Sequence, residues 1–222
     1  MIPRSSMNFY SQGVKVIQIV ALQVINPIHF NEFFSLLKHN VVYWDLERQN
    51  MEALKSIIRD IPDFPKKDII FKDITPLLSD PISFQKVIDA LKTRYKDKKI
   101  DQVVGVEARG FIFASALAYA LGSGFVMIRK PGKLPYKTYQ ETYSLEYGED
   151  CVEIHQDAFE NGQRILILDD VLATGGTLAA CVSLVKKNFQ VNLVEVGFLI
   201  ELDFLNGRHK LENIPIHSVM HY

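Results

Sequence analysis

The chain is poor in cysteine, with two residues in 222, Cys151 and Cys181. They form no CxxC pair, and the six histidines show no ligand spacing such as HExxH, so a protein-ligated zinc site is not expected. Isolated cysteines suggest a reducing compartment, and a cytoplasmic protein is expected. Long apolar runs are also missing. Nothing approaches the roughly 20 residues of a membrane-spanning helix. The nearest stretch, 14–24, is broken by Lys15, Gln18 and Gln23 and lacks a cleavage site. Charge of one sign is missing as well. A formal net charge of -1 argues against a nucleic-acid partner held by overall charge. The phosphate motif GxxxxGK[ST] is absent, and Gly122-Ser123-Gly124 lacks the third glycine of a dinucleotide fingerprint. What remains is an ordinary globular balance, 48% hydrophobic and 23% charged, with length for one domain and an appendage.

Residues 1–50 mix aromatic, β-branched and Asn residues without a clean period, and read as an N-terminal extension of unknown role. Met51 opens a helical pattern marked by Leu54, Ile57 and Ile58. Phe84, Val87, Ile88, Leu91 and Tyr95 mark a second, amphipathic helix. From Asp101 short apolar runs alternate with helical patterns. Residues 102–107 read as a strand ending at Ala108-Arg109-Gly110, 111–121 as a buried helix stopped by Gly122, and 125–128 as a short strand. Residues 164–168 form the continuous aliphatic run of a central parallel strand. Leu178, Cys181, Val182 and Val185 then give a one-faced helix, and 191–199 and 216–220 two further strands. This order predicts an α/β fold with a central parallel sheet flanked by helices on both faces. The stretch 131–150 is polar and holds Gly132, Pro135 and Gly148; it reads as either disordered or a lid.

The strongest signal follows the aliphatics of 165–168. It runs Asp169-Asp170-Val171-Leu172-Ala173-Thr174-Gly175-Gly176-Thr177. Acids at the carboxyl end of a strand sit where open α/β sheets bind ligands. A glycine-containing loop entering a helix offers backbone N–H groups to an anion, and Thr174 and Thr177 add hydroxyls. Acids for hydroxyls beside donors for phosphate suit a ribose phosphate. The plainer alternative is a helix cap whose acids favour the helix dipole.

Residues 165–177 resemble the phosphoribosyl-pyrophosphate signature of the type I phosphoribosyltransferases. Three further segments resemble the adenine phosphoribosyltransferases among them: 64–78 (FPKKDIIFKDITPLL), 105–111 (GVEARGF), and 129–135 (RKPGKLP) continuing to 143–148 (YSLEYG). The resemblance implies a phosphoribosyltransferase domain over 51–222 with the type I fold, a small hood and a flexible lid loop. It implies transfer of the 5-phosphoribosyl group from phosphoribosyl pyrophosphate to adenine, giving AMP and pyrophosphate, a glycosyltransferase step of purine salvage. Ala173, Thr174, Gly175, Gly176 and Thr177 would hold the ribose 5-phosphate, and Asp169 and Asp170 the ring hydroxyls. Glu107, Ala108 and Arg109, with a cis bond between Glu107 and Ala108, would form the pyrophosphate loop, joined by Arg129, Lys130 and Lys133. The Ile70 backbone, Phe71, Lys72 and Val171 would meet adenine; Lys72 stands where the family usually has arginine, a planar fork that lysine lacks. Glu146 would handle a proton on the base, and Tyr143 and Tyr147 would cover the site. Mg2+ would be carried by the substrate rather than by protein ligands, and a homodimer is implied. Two other outcomes stay open at this level: a ligand-binding transcriptional regulator built on the same loop, and a transferase for xanthine, guanine or orotate.

Overall fold

A computed structural model describes residues 51–144, 148–211 and 213–222, within the compact unit Met51–Tyr222. The expected extension over 1–50 lies outside the described residues.

The spacing of Leu54, Ile57 and Ile58 predicts a longer helix than the fold contains. A helical turn at 51–54 passes into a 3-10 turn at Lys55–Ile57, and Ile58 is already extended (φ -69°, ψ 126°). Strand β1 (Arg59–Pro62) follows and pairs antiparallel with β2 (Ile70–Asp73), Ile61 opposite Phe71. Pro62 fits this extended path, because it holds Ile61, the residue before it, out of the α region. Leu54 and Ile58 are buried all the same, so their spacing reports burial rather than a continuous helix.

Helix α1 (Thr75–Ser79) leads to α2 (Pro81–Tyr95). Asp80 caps α2 by accepting the Ser83 N–H at 2.9 Å, with Pro81 at the first helical position. Strand β3 (Gln102–Val106), helix α3 (Gly110–Leu121) and β4 (Gly124–Ile128) follow as expected. The polar stretch then differs from the expectation of a lid loop or disorder. Much of it is strand β5 (Thr138–Ser144), paired antiparallel with β6 (Glu149–His155). Its aromatics alternate with polar residues: Tyr139 and Tyr143 pack on the core while Gln140 and Thr142 are exposed. Residues 145–147 lie outside the described residues. A bridge between Arg129 and Glu153 ties this hairpin to the end of β4.

Strand β7 (Arg164–Leu172), helix α4 (Gly176–Asn188), β8 (Asn192–Glu201), 3-10 turns at Asp203–Leu205 and Gly207–Leu211, and β9 (Ile216–His221) complete the unit. Five strands form one parallel sheet in the order β4-β3-β7-β8-β9. Both faces are covered, which is why β7 runs apolar through 165–168 rather than alternating. Leu166 and Leu168 enter the layer of Leu91, Phe113 and Leu117 from α2 and α3; Ile165 and Ile167 enter that of Leu178, Cys181 and Val185 from α4. The ladder of β7 continues past 168, with Asp169 opposite Phe198 and Val171 opposite Ile200. The two acids therefore belong to the strand and not to the loop after it.

Leu117 is fully buried in the first of these layers. Leu117→Ala is expected to lower the unfolding free energy by about 2–5 kcal/mol in urea denaturation; an unchanged midpoint would contradict the packing of α3 on the sheet.

Candidate active site

The loop after β7 takes its shape from Gly175, which stands in the left-handed region (φ 76°) at the N-cap of α4. A side chain there is blocked, since its Cβ would lie 2.4 Å from the Gly207 carbonyl oxygen. Loop and turn are thus in backbone contact. No side chain among the described residues caps α4, and its first backbone bond is Ala179 N–H to Gly175 C=O at 3.0 Å. The N–H groups of the first turn are left for another acceptor, at the positive end of the helix dipole.

Beside this turn stand the two acids. Asp170 is buried, and its Oδ2 lies 2.8 Å from Arg109 Nε in an ion pair that lacks hydrogen-bond alignment. Asp169 is half-buried and accepts the Asp170 N–H at 2.9 Å. Gly110 lets the start of α3 approach β7: a Cβ there would fall 2.8 Å from Asp169 Oδ1. Burial pushes both carboxyls above the usual range. The neighbouring Asp170 charge pushes Asp169 further, while Arg109 partly offsets the shift of Asp170. The guanidinium of Arg109 also lies 4.8 Å from the centre of the Phe71 ring, so one side chain links the acids to β2.

Glu107 gathers the expected pyrophosphate cations. The cis Glu107–Ala108 bond is present. The Glu107 carboxylate accepts Arg129 Nε at 3.2 Å, the Lys130 N–H at 3.0 Å and Lys133 Nζ at 2.5 Å. Burial opposes its charge, but the Lys133 and Arg129 hydrogen bonds outweigh that and hold it at about 2. Lys130 Nζ pairs with Asp150 and donates to the Tyr143 hydroxyl at 3.2 Å. That hydroxyl donates to Asp150 at 3.0 Å and lies 3.1 Å from Thr177 Oγ1, so the hairpin touches the start of α4.

A cavity of about 1240 Å³ joins Ile70 and Lys72 of β2 to Thr174, Gly176 and Thr177. Arg109, Arg129, Lys130, Lys133, Asp169 and Asp170 are not among its lining residues. Lys72 is held by Asp60 at 2.7 Å, with its ammonium 4.1 Å from the Tyr222 ring centre. Glu146 and Tyr147 lie outside the described residues. Sequence reasoning missed the wall formed by Asn206, His209 and Lys210. The signal was present as a turn dipeptide, Asn206-Gly207, followed by the basic run Arg208-His209-Lys210. Among the described residues one group brings potential metal ligands within 4.8 Å of one another, Glu201, Asp203 and His221. Glu201 is already engaged there, by Arg208 at 2.5 Å and Ser218 at 2.5 Å.

Residues 73–214 match the family model described as phosphoribosyl transferase domain. An adenine phosphoribosyltransferase of Geotalea uraniireducens is 59% identical over 172 residues, 78% of this chain and all of that protein. The chain belongs to the adenine phosphoribosyltransferase family. Solved structures in that family have the same fold. That of Thermoanaerobacter pseudethanolicus is 49% identical with a TM-score of 0.75, covering 78% of this chain and 99% of the other. The Saccharomyces cerevisiae adenine phosphoribosyltransferase, solved with an imino-altritol bisphosphate and adenine, is 44% identical with a TM-score of 0.72, covering 76% and 97%.

Two outcomes follow from this geometry. Gly175→Ala combines a left-handed backbone with a blocked Cβ, and is expected to cost about 1–3 kcal/mol in thermal denaturation; unaltered stability would contradict the contact with Gly207. Because the folded Glu107 carboxyl is depressed from 4.5 to about 2, its stabilising contribution is complete above pH 4.5 and is lost as pH falls toward 2. Glu107→Gln is expected to flatten stability against pH across that window, measured by denaturant unfolding at each pH. Parallel curves for the two proteins would rule out Glu107 as the anchor of its cations.

Proposed function

We propose that the chain transfers the 5-phosphoribosyl group of phosphoribosyl pyrophosphate to adenine, forming AMP and releasing pyrophosphate. One observation carries the reading: Asp169 and Asp170 stand beside the uncapped start of α4. The carboxylates accept the ribose hydroxyls, and the N–H groups of residues 174–177 take the 5-phosphate. As the bond to pyrophosphate breaks, positive charge grows on the ring, and the acids favour it electrostatically. Arg109 keeps guanidinium donors beyond its contact with Asp170 and offers them to the departing pyrophosphate. Arg129, Lys130 and Lys133 join it by exchanging Glu107 and Asp150 for phosphate oxygens.

Adenine lies along β2. That strand pairs only with β1 among the described residues, so the backbone of Ile70 has an unpaired edge with which to read the base. Phe71 and Val171 pack on the ring. Glu146, placed by family position, relays the proton of the attacking nitrogen. The β5–β6 hairpin, joined to α4 through Tyr143 and Thr177, shields the reacting sugar from water.

Mg2+ would be carried on the substrate, whose phosphate and hydroxyl oxygens suit a hard cation, with Asp169 and Asp170 meeting it through the ribose hydroxyls. When bound, the ion supplies charge neutralisation at pyrophosphate. The homodimer reading is supported by exposed apolar side chains on neighbouring elements, Ile112 and Tyr119 of α3 with Phe125 and Met127 of the edge strand β4. The domain is assigned to 51–222, the same number of residues as the match to the Geotalea uraniireducens protein. Among the described residues no helix is long and apolar enough to cross a membrane.

The test is pyrophosphate release by the full chain with phosphoribosyl pyrophosphate, Mg2+ and a panel of adenine, guanine, hypoxanthine and xanthine. Adenine alone is expected to be turned over, and Asp169→Asn with Asp170→Asn to lower kcat/KM by about 100-fold or more in a folded protein. Equal rates with guanine, or full activity in the double variant, would overturn the reading.

A further inference from the structure

We propose that Lys210 is a further ligand of the substrate's 5-phosphate, reaching the phosphate loop from the 3-10 turn that packs on it. The inference rests on the reading that residues 173–177 hold that phosphate. Four observations support it.

The 3-10 turn Gly207–Leu211 is anchored at both ends. Gly207 packs backbone to backbone on the loop, where a Cβ at Gly207 would fall 2.2 Å from the Ala173 oxygen. Leu211 is buried in the same layer as Leu172 and Leu178. Between these anchors Lys210 reaches over the first residue of α4: its Nζ lies 4.0 Å from the Cβ position of Gly176. It lines the same cavity as Thr174, Gly176 and Thr177.

Lys210 has no ion pair or hydrogen bond among the described residues. The neighbouring Arg208 is bound to Glu201 at 2.5 and 2.7 Å, and of the other lysines lining the cavity Lys72 is bound to Asp60 and Lys66 is also engaged.

The loop itself holds only dipoles, in its N–H groups and two hydroxyls, and no charge. A sugar phosphate carries about -1.5 to -2 near neutral pH. An ammonium on a flexible stem, docked beside the N–H cradle, supplies the missing charge.

The experiment is calorimetric binding of AMP and of adenosine to the full chain, with Lys210→Ala and Lys210→Arg beside it. Lys210→Ala is expected to weaken AMP about tenfold and leave adenosine unchanged. Lys210→Arg keeps most of the AMP affinity. In turnover, KM for phosphoribosyl pyrophosphate rises in Lys210→Ala while kcat is largely retained. Lys210 is exposed and unpartnered, so the thermal midpoint should not move. If the unsubstituted protein prefers AMP over adenosine and Lys210→Ala keeps that full preference, the role of Lys210 is overturned. It is also overturned if adenosine and AMP weaken equally. If the unsubstituted protein shows no preference for AMP at all, the phosphate-loop reading falls, and the Lys210 role with it.

Discussion

Two adjacent carboxylates at the carboxyl end of β7, one half-buried and one buried against a guanidinium, form the constraint around which this site is arranged. Burial and mutual repulsion both disfavour their charge. Arg109 relieves Asp170 directly, and the glycine at 110 lets the start of α3 come close enough for it to do so. Beyond the acids, the chain turns through a left-handed glycine into an uncapped helix. Charge-accepting and charge-donating groups are therefore held a few residues apart on rigid elements. That polarity matches a sugar with hydroxyls on one side and a phosphate on the other.

The surrounding cations show how a site for a polyanion stays folded without one. Arg129 and Lys133 are neutralised by Glu107, Lys130 by Asp150 and Lys72 by Asp60. Each of these four thus has a carboxylate partner that a phosphate can replace. The near-zero net charge of the chain fits such internal pairing and not a broad basic surface. The link from Lys130 through Asp150 and Tyr143 to Thr177 joins the hairpin to the start of α4.

Much of this was legible in the sequence, for identifiable reasons. The doubly covered sheet followed from unbroken aliphatics in β7, and α3 from its alanine-rich run and the glycine that stops it. The acid pair and glycine loop were legible because few local structures need those residue types in that order. Other parts were hidden by tertiary effects. Leu54, Ile57 and Ile58 imitate a helix, but the chain is extended at Ile58 and then pairs with β2. The polar stretch around Thr138–Ser144 looked like a loop because Gln140 and Thr142 face water; Tyr139 and Tyr143 mark its buried side. The roles of Glu107 and Lys210 depend on partners far away in the chain, Lys133 and Gly176 respectively. No local spacing announces such contacts.

The most direct measurement is a crystal structure of the full chain with Mg2+ and phosphoribosyl pyrophosphate. The expected result is the 5-phosphate within about 2.7–3.2 Å of the N–H groups of residues 174–177, with the ribose hydroxyls on Asp169 and Asp170. A donor bound elsewhere, or a sugar that leaves both carboxylates facing only Arg109, would contradict it.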